Sequence, residues 1–229
     1  MKYGIICAMQ EELRTLKDNL NECHNAKIGV YEFFSGKLNG VDVVLVESGI
    51  GKVQASIVTT LLIQGFSVDY VLNSGSAGGI GHGLAVGDVV LSESVAYHDV
   101  DVTAFDYLPG QLPQQPQKFK ADQNLLAKLK KAAQISGLNV KSGLIVSGDQ
   151  FIASKEKIAT IKEIYPEALC CEMEGAAVGQ TAAQFGVGFS VIRAMSDTAD
   201  EQANQSFDEF IIEAGKRSAD MILNLTRLG

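Results

Sequence analysis

The sequence predicts an α/β protein, a single domain over residues 1–229 with a mixed central β-sheet flanked by helices. Three observations predict it. Short apolar runs alternate with stretches of helical periodicity along the whole chain, and neither a linker nor an internal repeat interrupts them. Asn39-Gly40, set between two such runs, is the strongest short hairpin signal available, so the sheet is mixed and not purely parallel. A chain of 229 residues, 46% hydrophobic and 20% charged, has the balance of a globular protein and the length to bury one sizeable core.

Residues 3–9 form a first strand, and residues 11–20 a helix with Leu13, Leu16 and Leu20 at helical spacing. The hairpin strands are 31–38 and 41–47, followed by a helix over 53–64. Residues 69–73 are a strand that runs into Ser74-Gly-Ser-Ala-Gly-Gly-Ile-Gly81, a glycine-rich turn. Residues 87–98 are one bent strand or a strand pair. Residues 99–120 carry Pro109, Pro113 and Pro116 with the apolar Phe105, Tyr107 and Leu112. A loop of that length and character points to a lid or a subunit contact. Asp122 caps a helix through Ser136 that presents Leu125, Leu126, Leu129 and Ala133 on one face and stops at Gly137. A strand over 140–146 precedes a helix over 154–165, which Pro166 halts. A strand ending at 168–171, a helix of small residues over 175–185 and a strand over 188–194 follow. The last helix, over 207–225, is read with Phe207, Phe210, Ile211, Ala214, Met221, Ile222 and Leu225 on its apolar face. The total is about eight strands and six helices.

A net charge of −8 argues against nucleic acid and anionic membranes as partners, since both reward Lys and Arg. The four cysteines, Cys7, Cys23, Cys170 and Cys171, and the scattered His24, His82 and His98 show no zinc-ligand spacing, so no metal is expected. The N-terminus opens directly as a strand without signal-peptide architecture. No apolar run is long enough to span a bilayer, and the cytoplasm is the expected compartment.

In an α/β sheet, ligands bind beyond the carboxyl ends of strands. Glu12, Ser76, Phe151, Glu174 and Asp197 stand at such ends. Glu172 and Glu174 sit where a strand gives way to a helix. Two readings fit them: complements to the helix dipole, or acceptors for two adjacent donors such as a ribose diol. Glu11 and Glu12 carry a similar pair of readings in the first turn of their helix. Asp197 either bonds its own backbone at a loop start or exchanges a proton in the crevice. Arg193 is read as the partner of a buried carboxylate; a regular strand would put residues 193, 195 and 197 on one face. Two glycine-rich stretches fail stricter tests. Gly49-Ile-Gly-Lys52 lacks the P-loop's first glycine, Val46 standing there, and Val53 replaces its Ser/Thr. Ala77 stands where a dinucleotide fingerprint needs its second glycine. The turn around Ser76, Ala77 and Gly78 is still able to offer N–H groups to an anion, a water or a sugar hydroxyl. Three converging carboxylates without a nucleophile–base dyad point to acid/base work on a polar organic substrate.

Seven segments together resemble the 5′-methylthioadenosine/S-adenosylhomocysteine nucleosidases of the purine nucleoside phosphorylase-like superfamily. They are Ala8-Met-Gln-Glu-Glu12, Ser48-Gly-Ile-Gly-Lys52, Asn73-Ser-Gly-Ser-Ala-Gly-Gly79, Tyr97-His-Asp-Val-Asp-Val-Thr-Ala104, Gly143-Leu-Ile-Val-Ser-Gly-Asp149, Glu172-Met-Glu174 and Arg193-Ala-Met-Ser-Asp197. The resemblance implies irreversible hydrolysis of the N-glycosidic bond of a 5′-thio-substituted adenosine, with 5′-deoxyadenosine a further substrate. It implies Asp197 as the acid at purine N7, with a raised pKa, and Glu12 as the base for the attacking water. Glu174 would hold the ribose hydroxyls and Met173 pack on the sugar. Ser76 would place water and Ser196 steady Asp197, while Phe151 stacks on adenine and the Ile152 backbone reads its edge. Met9, Ile50, Phe151, Met173 and Phe207 would line the 5′ pocket, completed by Val102, Phe105 and Pro113 of a second subunit in a homodimer. No cofactor is implied. Gln10 departs from the acidic residue common in the family but leaves Glu12 in place. The alternatives are a phosphorolytic relative and a non-catalytic nucleoside-binding member.

Overall fold

Tyr3, Ile5, Ile6 and Cys7 are all buried, so β1 (Lys2–Cys7) is covered on both faces, as an internal parallel strand must be. It lies between β4 (Val41–Glu47) and β5 (Tyr70–Gly79), parallel to both. The structure, a computed structural model, describes residues 1–199 and 203–228, and for 204–206 the backbone alone. Among the described residues are ten strands, all in one sheet, and six α-helices.

β3 (Tyr31–Leu38) returns into β4 through Asn39 and Gly40, whose φ angles of 49° and 84° are both positive, as a two-residue hairpin of primed type requires. Two strands were not legible beforehand. β2 (Asn21–Ile28) pairs with β3 at the sheet edge and has every residue but Ile28 exposed, so it lacks the apolar alternation that betrays a strand. β7 (Phe119–Lys120) is a two-residue strand on β6 (Val89–Tyr97). β6 is one strand, bent by a register shift between Ser92 and Ser94.

The second half of the sheet closes on itself. β5 pairs with both β10 (Gly188–Asp197) and β9 (Ala168–Glu172); β10 pairs with β6, β6 with β8 (Val140–Ser147), and β8 with β9. β5 is thus the strand on which the open half of the sheet, through β1, and the ring meet. Its predicted glycine-rich turn is a correction: the strand continues to Gly79. β10 likewise runs three residues beyond the expected end. The expected alternation of 193, 195 and 197 is broken by a register shift between Met195 and Asp197.

α1 (Gln10–Asp18), α3 (Gln123–Ser136) and α6 (Ala203–Arg227) cover one face. There Leu13, Leu16, Leu125, Leu129, Met221 and Ile222 join Ile5, Leu45 and Leu72 in one core. α2 (Lys52–Phe66) and α5 (Gly175–Gln184) cover the other, with Val58, Leu62, Val178 and Ala182 on Ile6, Val44 and Val71. α4 (Lys155–Ile164) closes a third cluster through Ile161. Asp122 accepts from the Leu125 N–H at 2.8 Å, and Gly137 ends α3 with a φ of 67°. Phe210 is a second correction: at 39% exposure it lies on the flank of the buried stripe through Ile211, Ala214, Ser218 and Ile222. Residues 99–118 hold one 3-10 turn, Thr103–Phe105, and no other helix or strand. No described helix is long and apolar enough to cross a membrane.

Candidate active site

Glu12 enters the site because α1 begins immediately after β1. Its carboxylate folds back along the first turn, and Oε2 accepts from the N–H groups of Ala8 (3.0 Å) and Met9 (3.3 Å). Oε1 accepts from the Ser76 N–H at 2.9 Å and its hydroxyl at 3.0 Å. Gly75 makes that approach possible, since a Cβ there would lie 2.6 Å from Glu12 Oε1. Gly78 does the same for Asp197, whose Oδ1 would be 2.8 Å from an added Cβ. The glycines of this segment therefore make room for two carboxylates within a strand, and do not form a turn.

Asp197 ends β10 and is buried. Its Oδ1 accepts from the Ala199 N–H at 2.8 Å, and Ser196 donates to Oδ2 at 2.9 Å. Glu174 sits between β9 and α5. Its Oε1 accepts from the Gly51 N–H at 2.8 Å, and its Oε2 is 3.5 Å from Arg193 Nη2. The glycine-rich segment that fails as a phosphate loop thus turns its N–H toward a protein anion, at a glycine whose φ is +103°.

Glu172 has a different place from the one its spacing allowed. Both oxygens are saturated by protein donors: Arg193 Nε and Nη2, the Ser147 hydroxyl, and the N–H groups of Glu174 and Gly175. It lines the cavity but has no lone pair left for a diol. Arg193 is 1% exposed, lies behind the cavity wall, and also donates to Asn73 Oδ1 at 2.6 Å.

One buried guanidinium therefore faces Glu12, Glu172 and Glu174. Burial raises the pKa of Glu12, against the lowering influence of Arg193, Ser76 and Ala8. Burial, and then the charge of Glu172, raise that of Glu174, against Arg193 and the Gly51 N–H.

The cavity brings together Met9, Glu12, Ile50, Ser76, Ala77, Gly78, Phe151, Ile152, Glu172, Met173, Glu174, Ser196, Asp197 and Phe207. Ala8, Gln150 and Cys171 also line it and were not foreseen. Phe151 and Phe207 meet edge to face at 5.7 Å. Val102, Phe105 and Pro113 do not reach this cavity; Phe105 is 75% exposed on the 99–120 loop. No Lys or Arg is among the described lining residues, and no described group of three or more His, Cys, Asp or Glu is placed to hold a metal.

An apolar cleft at strand ends, with converging buried carboxylates and pKa values raised at two of them, is the site of an acid/base enzyme for a small organic substrate. Comparison with known proteins sharpens that class. The family model of the phosphorylase superfamily matches residues 2–227. The 5′-methylthioadenosine/S-adenosylhomocysteine nucleosidase of Actinobacillus succinogenes is 50% identical over 225 residues, 98% of each chain. The crystal structure of the nucleosidase of that name from Neisseria meningitidis, in complex with methylthio-immucillin-A, superposes with a TM-score of 0.98 at 44% identity, covering 100% of this chain and 99% of the other. The corresponding S. pneumoniae structure, with a transition-state inhibitor, gives 0.96 at 46% identity and 99% coverage of both. The chain belongs to the phosphorylase superfamily and, within it, to the 5′-methylthioadenosine/S-adenosylhomocysteine nucleosidases.

Proposed function

We propose that this chain is an N-glycosyl hydrolase that cleaves 5′-methylthioadenosine and S-adenosylhomocysteine, releasing adenine and a thioribose. The observation that carries the reading is the pairing of Glu12 and Asp197 in one apolar cavity with no cationic lining residue. As the glycosidic bond breaks, the sugar becomes a cationic oxocarbenium ion and the purine gains negative charge. Asp197, steadied by Ser196, protonates purine N7 and relieves the leaving group. Glu12 takes the proton of the attacking water, and the adjacent Ser76 helps to place that water. Its raised pKa makes it a stronger base than an exposed carboxylate. Glu12 and Glu174 also stabilise the sugar cation electrostatically. Glu174 accepts from the ribose hydroxyls; Glu172, already saturated, positions Arg193 and the turn into α5 instead. Phe151 stacks on adenine, the Ile152 backbone reads its edge, and Met9, Ile50, Met173 and Phe207 enclose the sugar and its 5′ substituent. Adenine release from 5′-methylthioadenosine, S-adenosylhomocysteine and 5′-deoxyadenosine tests the reading; release from none of them removes it.

The 5′ end of the cavity is completed by Val102, Phe105 and Pro113 of a second copy, in a cytoplasmic homodimer. The exposed Phe105 and Leu108, with Ile50, Val53 and Ile57 exposed around the start of α2, support this. Mixing Phe105→Ala chains with Glu12→Gln chains should restore activity, because one site of the mixed dimer is then intact. Placing both changes on one chain and mixing it with parent leaves no intact site in the mixed dimer. No activity in the first mixture, whose two kinds of homodimer each lack a complete site, contradicts sharing.

A further inference from the structure

Lys52, the first residue of α2, joins two segments that line the cavity to the start of the 99–120 loop. Its backbone N–H donates to Asp149 Oδ1 at 2.9 Å. Its ammonium donates to Asp99 Oδ2 at 2.6 Å and lies 3.7 Å from Asp149 Oδ2. Asp99 Oδ2 also accepts from the Asp149 N–H at 2.9 Å. The next residue back, Gly51, is the one whose N–H holds Glu174. The three strapped segments are thus 49–52, which fixes Glu174 and carries Ile50; 148–152, which carries Phe151 and Ile152; and the start of the 99–120 loop, which carries Val102 and Phe105.

The fit is close. At Gly148 a Cβ would lie 2.4 Å from His98 Cε1 and 2.9 Å from Asp99 Cγ, so the 98–99 and 148–149 segments touch backbone to side chain. At Gly51 a Cβ would lie 3.2 Å from Asp149 Oδ1. Lys52 and Asp99 are mostly buried, with side chains 23% and 10% exposed. Their pair is therefore less screened than a surface ion pair. None of Lys52, Asp99 and Asp149 lines the cavity.

We propose that Lys52, with Asp99 and Asp149, is a positioning cluster for the proposed reaction: it fixes the Gly51 N–H on Glu174, and so sets recognition of the ribose hydroxyls. The proposal rests on the nucleosidase reading, in which Glu174 is the diol acceptor. If the strap is released, Gly51 moves, Glu174 loses the donor that orients it, and the diol meets a poorly aimed carboxylate. A ligand without the 2′-hydroxyl depends less on that aim. Release therefore weakens riboside recognition more than recognition in general.

The test compares 5′-methylthioadenosine with its 2′-deoxy analogue in parent, Lys52→Met, Asp149→Ala and Asp149→Asn proteins, with thermal melting in parallel. Parent activity comes first: if the parent releases no adenine, the nucleosidase reading falls. With an active parent, Lys52→Met and Asp149→Ala should each raise KM for the riboside roughly tenfold, the scale of one misplaced hydrogen bond to a charged group. Both should lower the riboside to 2′-deoxyriboside ratio of kcat/KM by a similar factor. Asp149→Asn keeps the acceptor for the Lys52 N–H and should stay nearer the parent ratio than Asp149→Ala. An unchanged ratio in both Lys52→Met and Asp149→Ala, whether the two substrates fall together or neither falls, overturns the proposal. If Lys52→Met does not fold, the Asp149 pair decides by the same ratio.

Discussion

Asp197→Asn is expected to lower kcat by roughly a hundredfold to ten-thousandfold while nucleoside binding survives. The amide keeps the shape of the carboxyl group. Its oxygen can still accept from the Ala199 N–H, and the Ser196 hydroxyl can rotate to accept from its NH₂. What it loses is the proton to give. Single-turnover adenine release, with equilibrium binding of the same nucleoside, separates the two quantities. A kcat near the parent value would take the acid role away from Asp197.

Arg193→Met is expected to destabilise the fold by about 3–5 kcal/mol, because Glu172 would be left buried without its cation. For a chain of this size that corresponds to a fall in melting temperature of roughly 6–20 °C. A second readout distinguishes the electrostatic role from packing. Arg193 lowers the pKa of both Glu12 and Glu174. Without it, both carboxyl groups hold their protons to higher pH. Glu12 is a base only when ionised, so the acid limb of kcat/KM should move to higher pH in the surviving folded fraction. A melting temperature and acid limb both unchanged would mean that Arg193 is not the counter-ion of this site.

The parts of the fold that were legible in the sequence are those with a local signal. Asn39-Gly40 gave the hairpin, Asp122 and Gly137 bounded α3, and the leucines of α1 faced the core. β2 escaped because an exposed edge strand buries nothing on either face. The end of β5 was misread because glycines signal a turn by frequency. Here they are needed because Glu12 and Asp197 occupy the space of their side chains, a tertiary reason no local window contains. Glu12, Ser76, Phe151, Glu174 and Asp197 were legible because they fall near strand ends, where topology gathers them, whereas Ile50 and Phe207 were indicated by the resemblance alone, Phe207 lying within α6. Glu172 and Glu174 could not be told apart by spacing; only the positions of Arg193, Ser147 and Gly51 separate the saturated carboxylate from the one with capacity to spare. Gly51 and Lys52 stood within a conspicuous motif, yet their partners Glu174, Asp99 and Asp149 are far away in sequence.

In the proposed reaction water, not phosphate, attacks the sugar. A phosphate dianion needs cations or several convergent N–H donors. Arg193 is committed to Glu172 behind the wall, Arg217 binds Glu213 and the Gly87 carbonyl, Arg227 binds Asn224, and Arg14 lines a separate surface groove. The Ser76 N–H and hydroxyl already serve Glu12. An ionised Glu12 would repel a phosphate at about 4 Å by on the order of 4 kcal/mol per unit charge, whereas it assists a water that must lose a proton. The direct measurement is adenine release from 5′-methylthioadenosine in phosphate-free and phosphate-containing buffer, with the sugar product identified. The expected result is the same rate in both and a free 5-methylthioribose; a rate that depends on phosphate, or a sugar 1-phosphate, contradicts it.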